Sequence, residues 1–451
     1  MMEILTRRLN RSPHTLALLA ALVLASCNSV TPGSPDATLQ PQTISSANPS
    51  AFKYLHDLVG VPARTSTADL EKLYSGIVIT RDVTAGTATI ANNALNKGRY
   101  DSAPAVEVNE RKFSVDVGAQ GYNAWSSGYN AWSSGYNAWS SGYNAWSSGT
   151  TSTATTFIEN IPTWDFAGIG GAQALVPELG KGIKVAVIDT GIDMNHPAFT
   201  GKIDTTYAKD YLDGDKVPQD VNLNTDGTFS AAYGHGTAVA GIITQIAPNA
   251  TILPIRVLDA TGGGDTATIA SAIDYAVASG AKVINLSLGS TSDSAAVNQS
   301  IKNAVSKLVT VFIASGNSGT TNVLYPAARS LDSAALGNGS IGIGSVNLLT
   351  HKSSFSTYGA NLEFTAPGEN IVTAFPGNGI VAATGTSFAT PIVSATAALV
   401  LSAGVPIRTT DDTKVFMNNM AATATPSTDP TYGTQLGRGT LNAFKFADIY
   451  R

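Results

Sequence analysis

Four short segments of the sequence each contain a polar side chain that could take part in nucleophilic catalysis. VAVIDTGID ends a predicted strand at Asp189, and FIASGNSG ends another at Asn317. YGHGTAVAG begins a predicted helix with His235 in its first turn, and TGTSFATPIV begins another with Ser387 at its entry. A serine hydroxyl is a weak nucleophile at neutral pH, so it needs a base that takes its proton and later returns it to the leaving group.

Each of these residues has a role that such chemistry requires. His235 would be the base, and the carboxylate of Asp189 would hold its imidazole in one tautomer and stabilise the charged form. The side-chain amide of Asn317 and the backbone N–H of Ser387 would donate hydrogen bonds to a developing oxyanion. We place Pro391 in the first turn of the same helix, where a missing N–H costs least.

The same residues have simpler interpretations when they are taken one at a time. Ser387 is then a helix cap, Asp189 a strand-end turn former, and Asn317 a left-handed turn residue between glycines. His235 would be a core histidine. The catalytic interpretation is favoured because four independent segments would otherwise have to imitate catalytic parts in a consistent spatial order.

The elements that must position these side chains alternate between apolar strands and amphipathic helices. The predicted strands are rich in Val, Ile and Leu, as in a buried parallel sheet: KVAVID, TILPIRVLD, AKVINLSLG, LVTVFIASGN and SIGIGSVN. TATIASAIDYAVASG and SAAVNQSIKNAVSKL carry helical spacing between them. The alternation predicts an α/β fold with a doubly wound, mostly parallel sheet flanked by helices, whose ligands bind beyond the carboxyl ends of the strands.

Composition excludes several function classes. Only 13% of the 451 residues are charged and the formal net charge is -5, so the basic surface of a nucleic-acid binder is missing. Cys27 is the sole cysteine, which excludes an intramolecular disulfide and a cysteine-based zinc cluster.

The first 50 residues are typical of an exported protein. Residues 1–27 combine three early arginines with a short apolar run that is too short to span a bilayer, which predicts a signal peptide and an extracytoplasmic protein. The end of this run, LASC, resembles a bacterial lipobox, so Cys27 is either lipidated and anchors the protein to a membrane or is lost in plain secretion. Residues 28–50 are rich in Pro, Ser, Thr and Gln, which predicts a flexible tether.

Two different segments follow this tether. Residues 51–118 mix apolar and charged positions and predict a small α+β domain. Residues 119–157 contain four copies of GYNAWSS and continue through GTTSTATT, which predicts a low-complexity linker. A coiled coil is disfavoured by the glycine in each repeat. The alternative is that the aromatic repeats form a surface that binds carbohydrate or another protein.

The motifs VAVIDTGID, GHGTAVAG, ASGNSG and GTSFATP resemble the signature segments of the subtilisin-like serine peptidases, in the chain order acid, histidine, serine. The resemblance covers roughly residues 158–451. It implies a catalytic triad of Asp189, His235 and Ser387, with Asn317 as the oxyanion-hole side chain. The implied function is a secreted serine endopeptidase that hydrolyses peptide bonds through an acyl-enzyme.

The resemblance also implies a groove in which an extended peptide pairs with two strands of the enzyme. The implied substrate-binding residues are Gly262, Gly263, Gly264, Ser287, Leu288 and Gly289, with Ala314, Ser315 and Gly316 lining the primary specificity pocket. Small residues in that pocket favour bulky apolar substrate side chains. The bond between Tyr325 and Pro326 is expected to be cis.

The sequence departs from the family pattern at several points. Ala238 stands where many relatives have a second histidine, and Ala198 stands where they have an aspartate ligand for calcium. The loop before NATILPIRVL is too short for the tight calcium site of many relatives. We therefore assign no metal ligands. The chemistry needs no cofactor, and a structural calcium elsewhere, for example at DYLDGDKVPQD, stays open.

The resemblance gives residues 51–118 a role as a propeptide that assists folding and blocks the groove. We expect the precursor to cut itself between residues 117 and 158, and the enzyme to be a monomer acting on proteins or peptides. The alternative is a surface binding or attachment protein that uses its aromatic repeats and has a silent or secondary peptidase domain.

Overall fold

The computed structural model describes residues 47–94, 100–115, 157–225, 229–332 and 338–451. Cys27, the signal peptide, most of the tether, the GYNAWSS repeats and the expected self-cleavage range up to residue 156 lie outside the described residues. Within the described part of the chain, no helix has both the length and the apolar character needed to cross a bilayer.

The first described region is a small antiparallel sheet with one helix. Its elements are β1 (Tyr54–Leu58), α1 (Thr67–Tyr74), β2 (Ile77–Asp82), β3 (Thr87–Asn92) and β4 (Asp101–Val108), and the strand order is β2-β3-β1-β4. Helix α1 begins at a capping box, in which Ser66 and Asp69 each accept a backbone N–H from the other. We call residues 47–115 the N-terminal region; its role as a propeptide stays a prediction. A two-residue strand, β5 (Phe113–Ser114), follows the sheet.

Residues 157–451, which we call the catalytic region, contain the remaining elements. They are α2 (Ile161–Ala167), α3 (Ile169–Leu175), β6 (Lys184–Asp189), β7 (Lys209–Asp210), α4 (His235–Ile246), β8 (Thr251–Arg256), β9 (Gly263–Gly264), α5 (Thr266–Ala278), β10 (Val283–Leu286), α6 (Ala295–Ser306), β11 (Thr310–Ala314), β12 (Ser340–Val346), β13 (Phe364–Pro367), β14 (Ile371–Phe375), β15 (Gly379–Ala383), α7 (Thr386–Leu401), α8 (Thr410–Ala422) and α9 (Ala443–Asp448).

Seven of these strands form one parallel sheet in the order β13-β12-β11-β10-β6-β8-β7. Strand β6 lies at the switch point, because the chain continues to β8 on one side of it and to β10 on the other. One core packs α4 and α7 against the sheet, and a second core packs α5 and α6 against the opposite face. The predicted α/β fold with a doubly wound parallel sheet is confirmed.

One local prediction is wrong. Pro391 is the sixth residue of α7 and lies inside the helix, beyond the first turn in which we placed it. A proline there removes the N–H that would bond to the carbonyl four residues earlier, which belongs to Ser387. The hydroxyl of Ser287 donates to that carbonyl instead, at 2.7 Å. The helix tolerates the proline because a neighbouring strand end supplies the missing donor.

Candidate active site

The structure brings Asp189 and His235 into direct contact. Asp189 is the last residue of β6 and is fully buried, and its Oδ1 lies 2.7 Å from Nδ1 of His235. The same oxygen accepts the backbone N–H of Thr190 at 2.7 Å. A carboxylate in this position fixes the orientation of the ring and leaves Nε2 as the nitrogen that faces away from it.

Glycines allow the helix that carries His235 to approach the sheet this closely. Helix α4 begins at His235 after Gly234, which has a φ of 86°. A Cβ on Gly234 would overlap the ring of Phe375, and a Cβ on Gly236 would overlap the carbonyl oxygen of Gly191. The GHG sequence is therefore required both by backbone conformation and by space.

A second buried carboxylate, Asp220, holds the first turn of the same helix. Its Oδ1 accepts the N–H of Gly234 at 3.0 Å, and its Oδ2 accepts the hydroxyl of Thr237 at 2.8 Å. Burial, with a smaller contribution from the nearby charge of Asp189, raises the pKa of Asp220 to about 7, although the hydrogen bonds from Gly234 and Thr237 act in the opposite direction. Asp220 thus fixes the backbone on both sides of His235. Asp220 is the last residue of DYLDGDKVPQD, but the sequence does not connect it with His235, because a long loop separates it from the helix.

The nucleophile candidate lies at the start of α7, beside the histidine. Ser387 is the second residue of the helix and is buried, and the ring of the next residue, Phe388, lies 5.3 Å from the His235 ring between centroids. The Ser387 hydroxyl donates to the carbonyl of Ser287 at 3.3 Å. It must turn from this weak bond toward the imidazole before a proton can move, a realignment that is common when substrate binds.

The side-chain amide of Asn317 is oriented by the residue that precedes the nucleophile. Its Oδ1 accepts both the backbone N–H and the hydroxyl of Thr386, at 2.8 and 2.9 Å. Because both partners are donors, the oxygen must be the atom that faces Thr386. The NH2 group then faces the other way and becomes the donor end, as an oxyanion role requires.

The expected groove residues surround a segment of the chain itself. Ser114 exchanges two backbone hydrogen bonds with Gly289, both 2.9 Å long, and the N–H of Val115 donates to the carbonyl of Gly262 at 3.0 Å. Strand β5 pairs with β9, so that Phe113 lies opposite Gly264 and Ser114 opposite Gly263. Residues 113–115 of the chain itself therefore lie extended between these two edges, where the resemblance implies that a substrate would bind.

The remaining expected pocket residues lie next to the nucleophile. Ala314 ends β11, and the two residues after it bond to neighbouring hydroxyls: Ser315 accepts from Thr357 at 2.7 Å, and the N–H of Gly316 donates to Thr386 at 3.2 Å. Leu288 is buried between the groove strand and the core. The bond between Tyr325 and Pro326 is cis, as expected.

Two carboxylates of the acidic loop considered as a possible cation site bind the side chain of an arginine. In DYLDGDKVPQD, Asp210 and Asp213 accept hydrogen bonds from the guanidinium of Arg256 at 2.9 and 2.8 Å. Among the described residues, no group of three or more His, Cys, Asp or Glu side chains could hold a metal ion. Metal binding by this protein stays untested.

Comparisons with known proteins show the family to which the chain belongs. The model of the subtilase family matches residues 180–440, which is more than half of the chain. Thermitase of Thermoactinomyces vulgaris is 36% identical over 269 residues, covering 59% of this chain and 88% of thermitase. Subtilisin Savinase of Lederbergia lenta is 37% identical over 230 residues, covering 49% and 77%.

Two further matches are an alkaline protease and a solved structure. An alkaline protease of Alkalihalobacillus alcalophilus is 36% identical over 256 residues, covering 54% of this chain and 61% of that protease. The crystal structure of a cold adapted subtilisin-like serine proteinase matches at 31% identity with a TM-score of 0.46, covering 58% of this chain and 88% of that one. The family match over residues 180–440 is sufficient by itself: this chain belongs to the subtilase family of serine endopeptidases.

Proposed function

We propose that this protein is an extracytoplasmic serine endopeptidase that is made as a self-processing precursor and cleaves peptide bonds through an acyl-enzyme on Ser387. The observation that carries the proposal is the 2.7 Å contact between buried Asp189 and His235, placed beside the start of the helix that bears Ser387. Three elements from distant parts of the sequence converge there, which a helix cap or a core histidine does not require.

The proposed reaction begins when Nε2 of His235 takes the proton of the Ser387 hydroxyl as the oxygen attacks the substrate carbonyl carbon. Asp189 stabilises the imidazolium that forms, and the imidazolium then gives its proton to the leaving amine. Water attacks the ester in the second half, again with His235 as the base. Ser387 supplies the nucleophile, His235 the base and Asp189 its orienting carboxylate. Asn317 supplies a hydrogen-bond donor, so the proposed steps use no cofactor.

The proposed oxyanion site combines the Asn317 amide with the backbone N–H of Ser387 at the N-terminus of α7. The amide is held before substrate arrives, because Thr386 fixes its oxygen with two donors. Preorganised donors of this kind need no rearrangement when the negative charge develops. Protein or peptide substrates would bind as extended strands between Gly289 and β9.

The N-terminal region is the proposed intramolecular inhibitor. It contacts the N-termini of both helices that lie beneath it: Glu107 accepts from the hydroxyl of Ser294 at 3.1 Å before α6, and Asn109 accepts the N–H of Ala267 at 2.9 Å in α5. Arg111 forms an ion pair with Asp259 at 2.5 Å beside the groove. These contacts hold residues 113–115 where a substrate would bind, which supports a blocked precursor.

Export and anchoring rest on the sequence alone. Signal-peptide cleavage and either lipidation of Cys27 or plain secretion are proposed from the arginines, the apolar run and the LASC ending. The mass of the N-terminal peptide of membrane-fraction protein tests this: a diacylglycerol-modified cysteine supports anchoring, and a soluble protein starting after residue 27 supports secretion.

Covalent labelling tests the peptidase proposal. A fluorophosphonate probe should label the processed protein, and the label should vanish in Ser387→Ala. Ser354→Ala is the matched control, because this serine is exposed and its side chain is outside the site. Labelling that persists in Ser387→Ala, or that is absent from the processed wild-type protein, contradicts the proposal and favours a silent peptidase fold that serves attachment.

A further inference from the structure

The N-terminal region places an arginine beside one edge of the groove. One nitrogen of Arg111, Nη2, lies 2.5 Å from Oδ2 of Asp259 and 2.7 Å from the hydroxyl oxygen of Thr261. Both partners belong to the loop that leads into β9. The guanidinium also lies against Gly263, where a Cβ would overlap it. A carboxylate, a hydroxyl and a glycine backbone therefore receive one basic side chain.

The carboxylate of Asp259 is held in place by its own loop. Its Oδ1 accepts the hydroxyl of Thr261 at 2.7 Å, and it accepts the backbone N–H groups of Thr261 and Gly263 at 2.9 and 3.3 Å. Burial alone would raise the pKa of Asp259, but these hydrogen bonds and the charge of Arg111 outweigh it and lower the pKa below its ordinary value. The loop thus engages one carboxylate oxygen and leaves Oδ2 to meet a cation. None of these loop contacts involves the N-terminal region.

The backbone around Arg111 is bound to the catalytic region as far back as Glu110. The carbonyl of Glu110 accepts the N–H of Thr266 at 3.1 Å, and Phe113 lies opposite Gly264 in β9. An extended substrate that follows the same path therefore carries a side chain at the position of Arg111, within reach of the carboxylate.

The pairing with Gly289 places this position relative to the bond that a substrate would lose. In an antiparallel pair, two residues forward on one strand correspond to two residues back on the other. The substrate residue two positions after the one opposite Gly289 therefore lies opposite Ser287, whose carbonyl accepts the hydroxyl of Ser387 at 3.3 Å. Ser114 is the residue opposite Gly289, and Arg111 stands three positions before Ser114. The basic position is thus the sixth residue before the attacked bond.

We propose, on the basis of the peptidase function proposed above, that Asp259 and Thr261 form a binding site for a basic side chain at the sixth residue before the cut bond of a protein or peptide substrate. Arg111 occupies this site while the N-terminal region is docked, and a substrate arginine or lysine occupies it afterwards. Closer to the bond, Phe113 and Val115 are 1% and 4% exposed and mark apolar positions. The substrate class is therefore an extended segment in which a basic residue precedes apolar ones.

The expected preference is modest because the ion pair is partly exposed. The side chain of Asp259 is 23% exposed and that of Arg111 is 54% exposed. Such pairs contribute little in water, so we expect kcat/KM to be about three- to fivefold higher with arginine than with alanine at this position. The difference should lie mainly in KM, because contacts far from the reacting atoms bind substrate and transition state alike. It should shrink at high salt, because mobile ions screen exposed charges.

Fluorogenic peptides test the proposal on the processed wild-type protein. The reference peptide is ERKFSV, the sequence of residues 110–115, with alanine in place of the lysine, followed by phenylalanine and an aminocoumarin leaving group that fixes the cut. Its partners have alanine or glutamate in place of the arginine, or the arginine moved one position toward the cut. We expect the reference peptide to have the highest kcat/KM and the glutamate peptide the lowest.

The outcomes separate this proposal from the peptidase function. Equal kcat/KM for the arginine and alanine peptides, or an arginine that acts as well one position later, overturns the basic site and leaves the peptidase function standing. Peptides that are not cleaved, or that Ser387→Ala cleaves equally well, contradict both.

Variants of the carboxylate locate the effect. Asp259→Asn keeps an oxygen that can accept from the loop and removes the charge, so the ratio of kcat/KM between the arginine and alanine peptides should fall to about one. Both peptides are measured on one preparation, so damage to the loop cancels in this ratio. Asp259→Lys should reverse the order and favour the glutamate peptide. Asp165→Asn, at an exposed position of α2, makes the same change in net charge and should keep the wild-type ratio. An unchanged ratio in Asp259→Asn overturns the proposal.

Discussion

The N-terminal and catalytic regions cover their sheets in different ways. In the catalytic region, helices of the same region cover both faces of the seven-stranded sheet. In the N-terminal region, α1 covers one face, with Leu70 and Tyr74 packed on Leu58 and Ile90. The other face, which includes Leu55, joins the core beneath α5 and α6 and is therefore completed by the catalytic region.

This difference shows that the N-terminal region depends on the catalytic region for part of its stability, whereas the catalytic region covers its own sheet. A sheet must bury its apolar face against another layer, and within the described residues the small sheet has one α-helix of its own. In the proposed self-processing, the N-terminal region leaves after the cut, and its second face would then be exposed to water. We therefore expect release to be coupled to unfolding of the N-terminal region, which makes activation hard to reverse, while the catalytic region keeps its fold.

The largest expected effect is that of Ser387→Ala, which should abolish catalysis without affecting the fold. Ser387→Ala should lower kcat by about 10⁶-fold, the loss measured for the corresponding change in subtilisin, because the serine, the base and its carboxylate act as one unit. Ser387→Ala should stay uncut with both regions folded. Its circular dichroism and melting temperature should therefore equal those of the wild-type precursor before it is cut. A melting temperature that falls by more than a few degrees would show that the hydroxyl also supports the fold.

Asn317→Leu should give the second largest effect, again confined to the catalytic region. Loss of the amide donor should lower kcat by about 10²- to 10³-fold, the loss measured for subtilisin's own oxyanion-hole asparagine. We expect little change in KM, because this donor acts on the charge that develops in the transition state. The measurement is steady-state kinetics on a peptide substrate. Asn322→Leu, at an exposed position of the following loop, is the control. An equal rise in KM would point to a role in binding substrate.

The site residues that could be predicted from the sequence are those that lie within a recognisable motif. Asp189, His235, Asn317 and Ser387 stand at strand ends and helix starts, where periodicity and glycines mark the boundary, and the structure brings them to one edge of the sheet. Asp220 could not be predicted, because an acid at the far end of a loop has no fixed spacing to the helix that it caps.

Features that depend on contacts between distant residues could not be predicted from the sequence either. Apolar runs predicted the parallel strands, since buried strands need continuous Val, Ile and Leu. The position of Pro391 was missed because helix boundaries depend on tertiary donors such as Ser287, which no local pattern reveals. The pairing of Ser114 with Gly289 joins residues far apart in the chain, and its register follows from packing.

Leu70→Ala tests the dependence of the N-terminal region on its small core. Leu70 is fully buried in that core, and truncation of a buried leucine costs about 2–5 kcal/mol. We expect the N-terminal region to become sensitive to an added protease and inhibition to be lost earlier, with the melting of the catalytic region unchanged. Leu73→Ala is the matched control on the same helix, since Leu73 is 54% exposed. Equal effects of both changes would contradict an independent core.

The smallest predicted effect concerns the polar contact between the two regions. Asp274 of α5 is half-buried against the N-terminal region, where Thr80 of β2 and Asn303 of α6 lie 2.5 Å apart between Oγ1 and Nδ2. Burial raises the pKa of Asp274 to about 7; hydrogen bonds from Thr80 and Asn303 oppose this rise, and the charge of Asp82 adds to it.

A carboxyl whose pKa is higher in the docked state favours docking while it is protonated. The stabilisation is fully present below the ordinary value near 3.8 and is lost as the pH rises through about 7. Binding of the separated N-terminal region to the catalytic region should therefore weaken by up to about tenfold per pH unit across this interval. Asp274→Asn should flatten this dependence, measured as the inhibition constant from pH 5 to 8. Some slope should remain, because burial also raises the pKa of Asp57 in β1. An unchanged slope in the variant would show that docking does not change the pKa of Asp274. The pH dependence would then arise within the small sheet.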